Sequence, residues 1–401
     1  MRTRSGWLVL LLVAGMASAP AAVLGQEFQY APPDTIWPFP LFSNRPADGG
    51  LFVDAEFVYF HQTNPLQHQQ IAVRGVQDIF GDITGVAGTF IGNRPPTPAL
   101  FADDAGGPGT YQPGWRFGVG YRFANGVSVE GSWLHLAQAR YDATATLFPP
   151  GLNAGPNQAE TFLFSPVFNF PSDFVGPPDK LLSITSGLPT GNIGIWDGAS
   201  LMQITFFQRF DEFVLTGRIP VYQDDCWRTY GLIGPQFSWI WERFRWRTVS
   251  EDIFGGSGPD DVAIYSNIVS NRMYGVHAGC GTEWRTGDTP IGTFAISLDL
   301  QASGLVDIVK ERAKYERGDR EMSASRARKE FTLVPELEGS INGWWYPIEG
   351  IQLRAGYSLM EFFNTVASQD PVSFNYGGLD PPWVRVSRFF NGFNCGIAFI
   401  F

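Results

Sequence analysis

Six charged residues stand at strand spacing among apolar neighbours, and their types suit electrostatic work rather than bond making. They are Asp54 and Glu56 in LFVDAEFVYF, Arg116 and Arg122 in WRFGVGYRF, Glu130 in VSVEGSW, and Arg354 in IQLRAGYSL. Strand side chains alternate with period two, so Asp54 and Glu56 share a face, as do Arg116 and Arg122. Asp299, Glu336 and Glu338 fall on equivalent faces of later segments. Carboxylates and guanidinium groups facing each other across a narrow space either pair as a salt-bridged fill or line a polar pathway. In the pathway, Arg116, Arg122 and Arg354 oppose the carboxylates as a constriction.

Other chemistry has less to stand on. The four histidines are His61, His68, His135 and His277, and no cluster of carboxylates or cysteines accompanies them. No metal site and no cofactor are expected. His277, between Gly275 and Gly279 on a polar face, reads as a hydrogen-bonded interior residue. Cys226, Cys280 and Cys395 are far apart and form no CxxC. The motifs of a nucleophile elbow, a zinc protease and a phosphate-binding loop are absent, so no catalytic residue is expected.

The elements that must position these charges are strands. Trp115, Phe117, Val119, Tyr121 and Phe123 share one face, with Arg116, Gly118, Gly120 and Arg122 on the other. Asn125-Gly126 then supplies the left-handed backbone of a tight hairpin. Leu51 to Phe60 alternates likewise. The C-terminal segment FFNGFNCGIAFIF puts Phe389, Phe393, Cys395, Ile397, Phe399 and Phe401 on one face, opposite Gly392, Asn394, Gly396 and Ala398. Further strands are predicted over Leu201–Val221, Arg228–Thr248, Asn271–Arg285, Thr293–Val309, Phe331–Tyr346 and Ile351–Glu361. An apolar face opposite Arg, Glu, Ser and Gly is the pattern of a strand with lipid on one side and a polar interior on the other.

Connections alternate in length. Short ones fall at 124–126, 224–225, 286–291 and 346–350; long ones at about 61–113, 141–200, 250–270, 310–330 and 362–387. This predicts an all-β, antiparallel transmembrane β-barrel of about ten strands, or twelve if residues 141–200 hide a hairpin, with long outer loops. The dense charge run 310–330 reads as a solvated outer loop, with lipopolysaccharide contact as its functional alternative.

Composition agrees. Aromatics reach 15% and charged residues only 17%, with 46 Gly and 29 Pro. Residues 1–25 read as an export signal: Arg2 and Arg4 precede a short apolar core, and Val23-Leu24-Gly25 is the preferred cleavage site. Its removal takes two Arg and no acid, leaving 26 basic against 39 acidic residues. That balance argues against nucleic acid or an anionic membrane surface as a partner. Residues 26–49 read as a Pro-rich periplasmic lead-in and residues 50–401 as the barrel.

Two stretches carry a family resemblance: PGWRFGVGYRFANGVSVEGSWLHL (113–136) and WWYPIEGIQLRAGYSLMEFFNT (344–365), the second followed by PVSFNYGG and RFFNGFNCGIAFIF. They resemble the outer-membrane β-barrel porin family, type seven, of planctomycete bacteria. The resemblance covers about residues 50–401 and implies a barrel without assigned catalytic residues. The terminal strand also resembles the C-terminal assembly signal of outer-membrane barrels, which casts Phe399 and Phe401 in that role. The expected function is porin-like, with narrow passive passage of small solutes, or a structural envelope role. Expected partners are outer-membrane lipid and the barrel-assembly machinery, with lipopolysaccharide and small solutes as further candidates. The alternative is a secreted soluble β-sandwich acting as a carbohydrate-binding module or hydrolase.

Overall fold

The computed structural model describes residues 50–401 apart from 64–65, 82–83, 107–110, 147–161, 178–193, 225, 253, 287–288 and 349. The expected export signal and lead-in lie outside the described residues. No described helix is long and apolar enough to cross a membrane.

Ten antiparallel strands close into a barrel. They are β1 (Gly50–Gln62), β2 (Tyr111–Arg122), β3 (Ser128–Thr146), β4 (Leu201–Gln223) and β5 (Trp227–Val249). The others are β6 (Val262–Arg285), β7 (Thr293–Arg317), β8 (Ser323–Ile348), β9 (Ile351–Ala367) and β10 (Val384–Ile400). Each pairs with the next, and β10 returns to β1, placing Val53 opposite Phe399 and Phe60 opposite Gly392. A sandwich would leave two sheets with open edges. Here the barrel sheet has none, so the soluble-sandwich alternative is not favoured.

The outward face is apolar around the barrel. Val119 on β2, Val276 on β6, Leu333 on β8 and Phe393 on β10 are each more than half exposed. Such a belt is stable only against lipid, and a closed barrel is the strand architecture that satisfies its backbone there. The belt is rimmed by aromatics. Tyr121 and Phe123 meet edge to face at 5.1 Å near the short turns, and Trp239 stands at the upper margin.

Two expectations are corrected. Residues 310–330 are not a loop: β7 and β8 run on to Arg317 and from Ser323, making the charge run a hairpin. Strands β6 to β8 outlast their expected ends because the apolar signal stops where lipid stops. The hydrogen-bonded ladder continues into water with Lys310, Arg312 and Lys314 on its outer face. Strand β3 runs on to Thr146, and the described residues between 147 and 200 add no barrel strand. Their one short strand, Leu163–Phe164, pairs with Gln70–Arg74 above the barrel.

That pairing belongs to a cap of long-loop segments folded into the mouth. Trp196 is fully buried there, 5.4 Å from Trp246 and 5.0 Å from Tyr376 between ring centroids. The loop following β1, the loop following β3 and the loop between β9 and β10 all contribute to this cluster.

Candidate functional site

The lumen gathers the predicted charges, and it is layered. At the short-turn end a chamber of about 120 Å³ is lined by Asp54, Glu56, Arg122, Glu130 and Arg354, together with Arg218, Glu283, Arg285, Tyr346 and Gln352. That volume holds several waters. Five of the six predicted charges thus line one space. Glu130 is 3.3 Å from Arg218. Nearby, Arg228 on β5 donates to the Gly126 carbonyl at 3.0 Å, tying that strand to the β2–β3 turn.

The next layer is an ion-pair network. Glu56 accepts from Arg354 through one oxygen and lies 3.7 Å from Arg116 through the other. Arg354 also donates to Asn342 at 2.9 Å and sits over the Trp344 ring at 4.8 Å. A second set is built on Gln236, which donates to Glu212 at 2.9 Å and to Glu336 at 2.6 Å. Ser303 donates to the Gln236 carbonyl oxygen at 2.7 Å. His277 is buried and 3.2 Å from the Thr216 hydroxyl, as its polar-face position predicts.

Inward glycines do not open this layer. A Cβ at Gly118 would strike the Asp54 carboxylate, and one at Gly396 would strike the Glu56 side chain. The space that alternation assigns to the lumen is occupied by neighbouring side chains.

Above the charges lies a layer that alternation did not predict. Val58, Phe60, Leu134, Leu136, Phe210, Ile240, Met273, Leu305, Val334, Met360, Phe362 and Phe390 are all inward and none is more than 2% exposed. Phe210 meets Phe390 at 4.8 Å and Phe362 at 6.0 Å between ring centroids. Side chains from nine of the ten strands close the lumen here. Beyond it, Arg388 pairs through two nitrogens with Glu242 and donates to the Val366 carbonyl at 2.8 Å.

Sequence reasoning missed Arg218, Glu283 and Arg285 as chamber residues. Their inward parity was available, since Glu283 and Arg285 flank the outward Trp284. It also missed the apolar layer, although Val58 and Phe60 share the face of Asp54 and Glu56. His68, in the loop after β1, is 2.9 Å from Asp103, whereas His61 on β1 lies tilted against Tyr111 at 5.5 Å, so the two do not converge. Among the described residues no group of His, Cys, Asp or Glu is arranged to hold a metal.

No protein-family model matches the chain, and no curated protein matches it. Among solved structures it is similar to the outer membrane protease OmpT from Escherichia coli, at 8% identity and a TM-score of 0.39, covering 88% of this chain and 97% of that one. It is also similar to a Pseudomonas aeruginosa FadL homologue, at 11% identity and a TM-score of 0.22, covering 88% and 92%. An anion-selective porin from Comamonas acidovorans is similar at 9% identity and a TM-score of 0.15, covering 88% and 99%. All three likenesses are distant, and none assigns a role to a lumen residue of this chain.

Proposed function

We propose that the protein is an outer-membrane barrel with a closed lumen, serving as a structural and surface-presenting element of the envelope. Its short turns face the periplasm and its long loops the outside, the usual disposition of such barrels. The observation that carries this reading is the continuous apolar layer around Phe210, Phe362 and Phe390. Water and ions need polar groups or open space along their whole path, and a dry constriction blocks them by dewetting. Asp54, Glu56, Arg116, Arg122, Glu130 and Arg354 act in this reading as a paired fill that holds the strands in register. Glu56 pairs with Arg116 and Arg354, Glu130 with Arg218, and no catalytic step is assigned to them. Phe399 and Phe401 mark the closing strand for the assembly machinery. The strand pattern that resembles the planctomycete porin family is consistent with this reading, although no family model matches the chain.

Passive passage of small solutes is the competing outcome, and planar-bilayer recording separates the two. The purified, heat-modifiable barrel should insert without producing steps of current across ±100 mV. Steady single-channel conductance from the wild-type protein would overturn the closed-lumen reading and return the six charges to a constriction role.

A further inference from the structure

The protein is acidic overall, yet one outward face above the lipid belt is strongly basic. On β5 the side chains alternate. Glu242, Phe244 and Trp246 point inward and are at most 2% exposed, which puts Arg243, Arg245 and Arg247 on the outside in a single column. Below the column is the aromatic margin of the belt, where Arg209 and Arg272 lie over Trp239 at 4.8 and 5.7 Å.

Strand register widens the column into a field. Arg243 aligns through Ile268 with Arg312 on β7, and Arg245 aligns through Ser266 with Lys314. On the other side Arg243 aligns through Phe207 with Arg140 on β3. Lys310 stands opposite Lys329. The three carboxylates at this height are already engaged: Asp142 with Arg140 at 2.8 Å, Asp211 with Arg209 at 2.7 Å, and Glu316 with Lys314 at 2.7 Å. Arg243, Arg245, Arg247, Lys310 and Arg312 have no carboxylate within ion-pair distance among the described residues. Burial and the neighbouring Arg243 and Arg247 lower the proton affinity of Arg245, outweighing the opposing pull of Glu316, as expected of crowded cations.

We propose that this face of β3–β8 binds the phosphorylated headgroup of an outer-leaflet glycolipid whose acyl chains lie on the apolar belt beneath it. The field is continuous with the belt on the same outward surface and is not a pocket, which suits a lipid already lying against the barrel better than a free anion. Guanidinium forks repeat every second residue, about 6.6 Å apart at strand spacing. That places bidentate donors at several heights for phosphates on successive sugars. Anionic headgroups would supply the counter-charge that the protein withholds here. The inference rests on the outer-membrane reading above, and also explains why the 310–330 hairpin is basic on its outer side.

The test uses the full barrel refolded in neutral detergent and, as probes, lipid A-bearing lipopolysaccharide and the same glycolipid after enzymatic dephosphorylation. Heat-modifiable migration checks the barrel reading first and independently. Binding is then followed by native mass spectrometry and by co-migration. The wild-type protein should retain the phosphorylated glycolipid. The R243Q/R245Q/R247Q variant should bind it at least about tenfold more weakly, the loss of roughly one charge-assisted hydrogen bond. A second variant on a different strand, K310Q/R312Q, should weaken it in the same direction, while Arg326→Gln, on β8 paired with Asp380 at 2.7 Å, should not. Folded variants that bind as tightly as wild type would overturn the proposal. So would equal binding of the dephosphorylated lipid, or equal competition by inorganic polyphosphate, which would mark a site for soluble anions.

Discussion

Val119 and Gly120 are neighbours on β2 with opposite surroundings. Val119 is 53% exposed on the apolar belt, whereas a Cβ at Gly120 would meet the Phe52 ring inside. Val119→Arg should oppose insertion by about 2–4 kcal/mol near the bilayer midplane. Gly120→Ala should instead insert and lose stability through lumen crowding. Folded yield in lipid vesicles, read by gel shift, checks both. Equal yield for Val119→Arg and for Arg placed at the exposed loop residue Phe254 would remove the lipid-facing assignment. Inside, Glu56 is the shared partner of Arg116 and Arg354, and its side chain is 2% exposed. Glu56→Gln should cost about 3–5 kcal/mol in urea unfolding, because two guanidinium groups lose their counter-charge. Glu130→Gln should cost much less, since its partner Arg218 is 30% exposed. The six charges were legible because each interrupts an apolar alternation. Their pairing was not, because which carboxylate meets which guanidinium depends on register between strands far apart in sequence. Glu56 and Arg354 are separated by two intervening barrel contacts that no local pattern encodes.

Among elements, the last strand and the cap carry separate predictions. β10 is held on both sides, by β1 and β9, and beyond it the Phe401 amide donates to the Leu51 carbonyl at 2.7 Å. Deleting Phe401 should reduce the amount of folded barrel in outer-membrane fractions while leaving the total exported chain unchanged. Unaltered barrel yield would show that the rest of β10 suffices. In the cap, Asp197 is buried beside Trp196, and desolvation lifts its pKa to about 8 from 3.8. Below about pH 4 the carboxyl is neutral whether the cap is packed or open, so its packing is least penalised there. As pH rises the open form ionises first, and the packed cap loses about 1.4 kcal/mol per unit until the buried group also ionises near pH 8. Protease cleavage within the cap should therefore accelerate from pH 5 to pH 8, and Asp197→Asn should flatten that dependence. A pH-independent rate in the wild type would contradict the assignment. The strands themselves were legible wherever lipid imposed a period of two. Above the belt, strands β6 to β8 were cut short in the reading because water faces their outer side and no apolar repeat marks them.

For the whole molecule, the decisive feature is that the barrel is filled from one end to the other. Charges occupy the lower lumen, twelve apolar side chains the middle and folded loops the mouth. The barrel and its ten strands followed from the sequence, and so did most of the loop lengths, the β7–β8 connection excepted. Its closure did not, because Val58, Phe60 and Phe390 read individually as tolerated exceptions on a polar face, and only their convergence at one height makes a seal. Replacing Phe210, Phe362 and Phe390 together with Ala should open that seal. The triple variant is expected to show small current steps in planar bilayers where the wild type shows none, with a loss of several kcal/mol in unfolding free energy from the vacated volume. A silent triple variant with an intact cap would locate the block in the loops above.

The pairing of β1 with β10 has a consequence for how the chain is made. Residues 53 and 399 meet across the seam, so the first barrel strand cannot acquire its second neighbour until nearly the whole chain is present. Through that interval one flank of β1 offers a row of unanswered amides and carbonyls, and its outer side offers Leu51, Val53, Phe57 and Tyr59. Such a strand recruits whatever other chain is nearby. Long-range closure of this kind is also slow. The interval between emergence of β1 and arrival of β10 is therefore the most aggregation-prone period in the life of this protein, and cells that make it in quantity must keep the nascent chain sequestered until the seam is zipped.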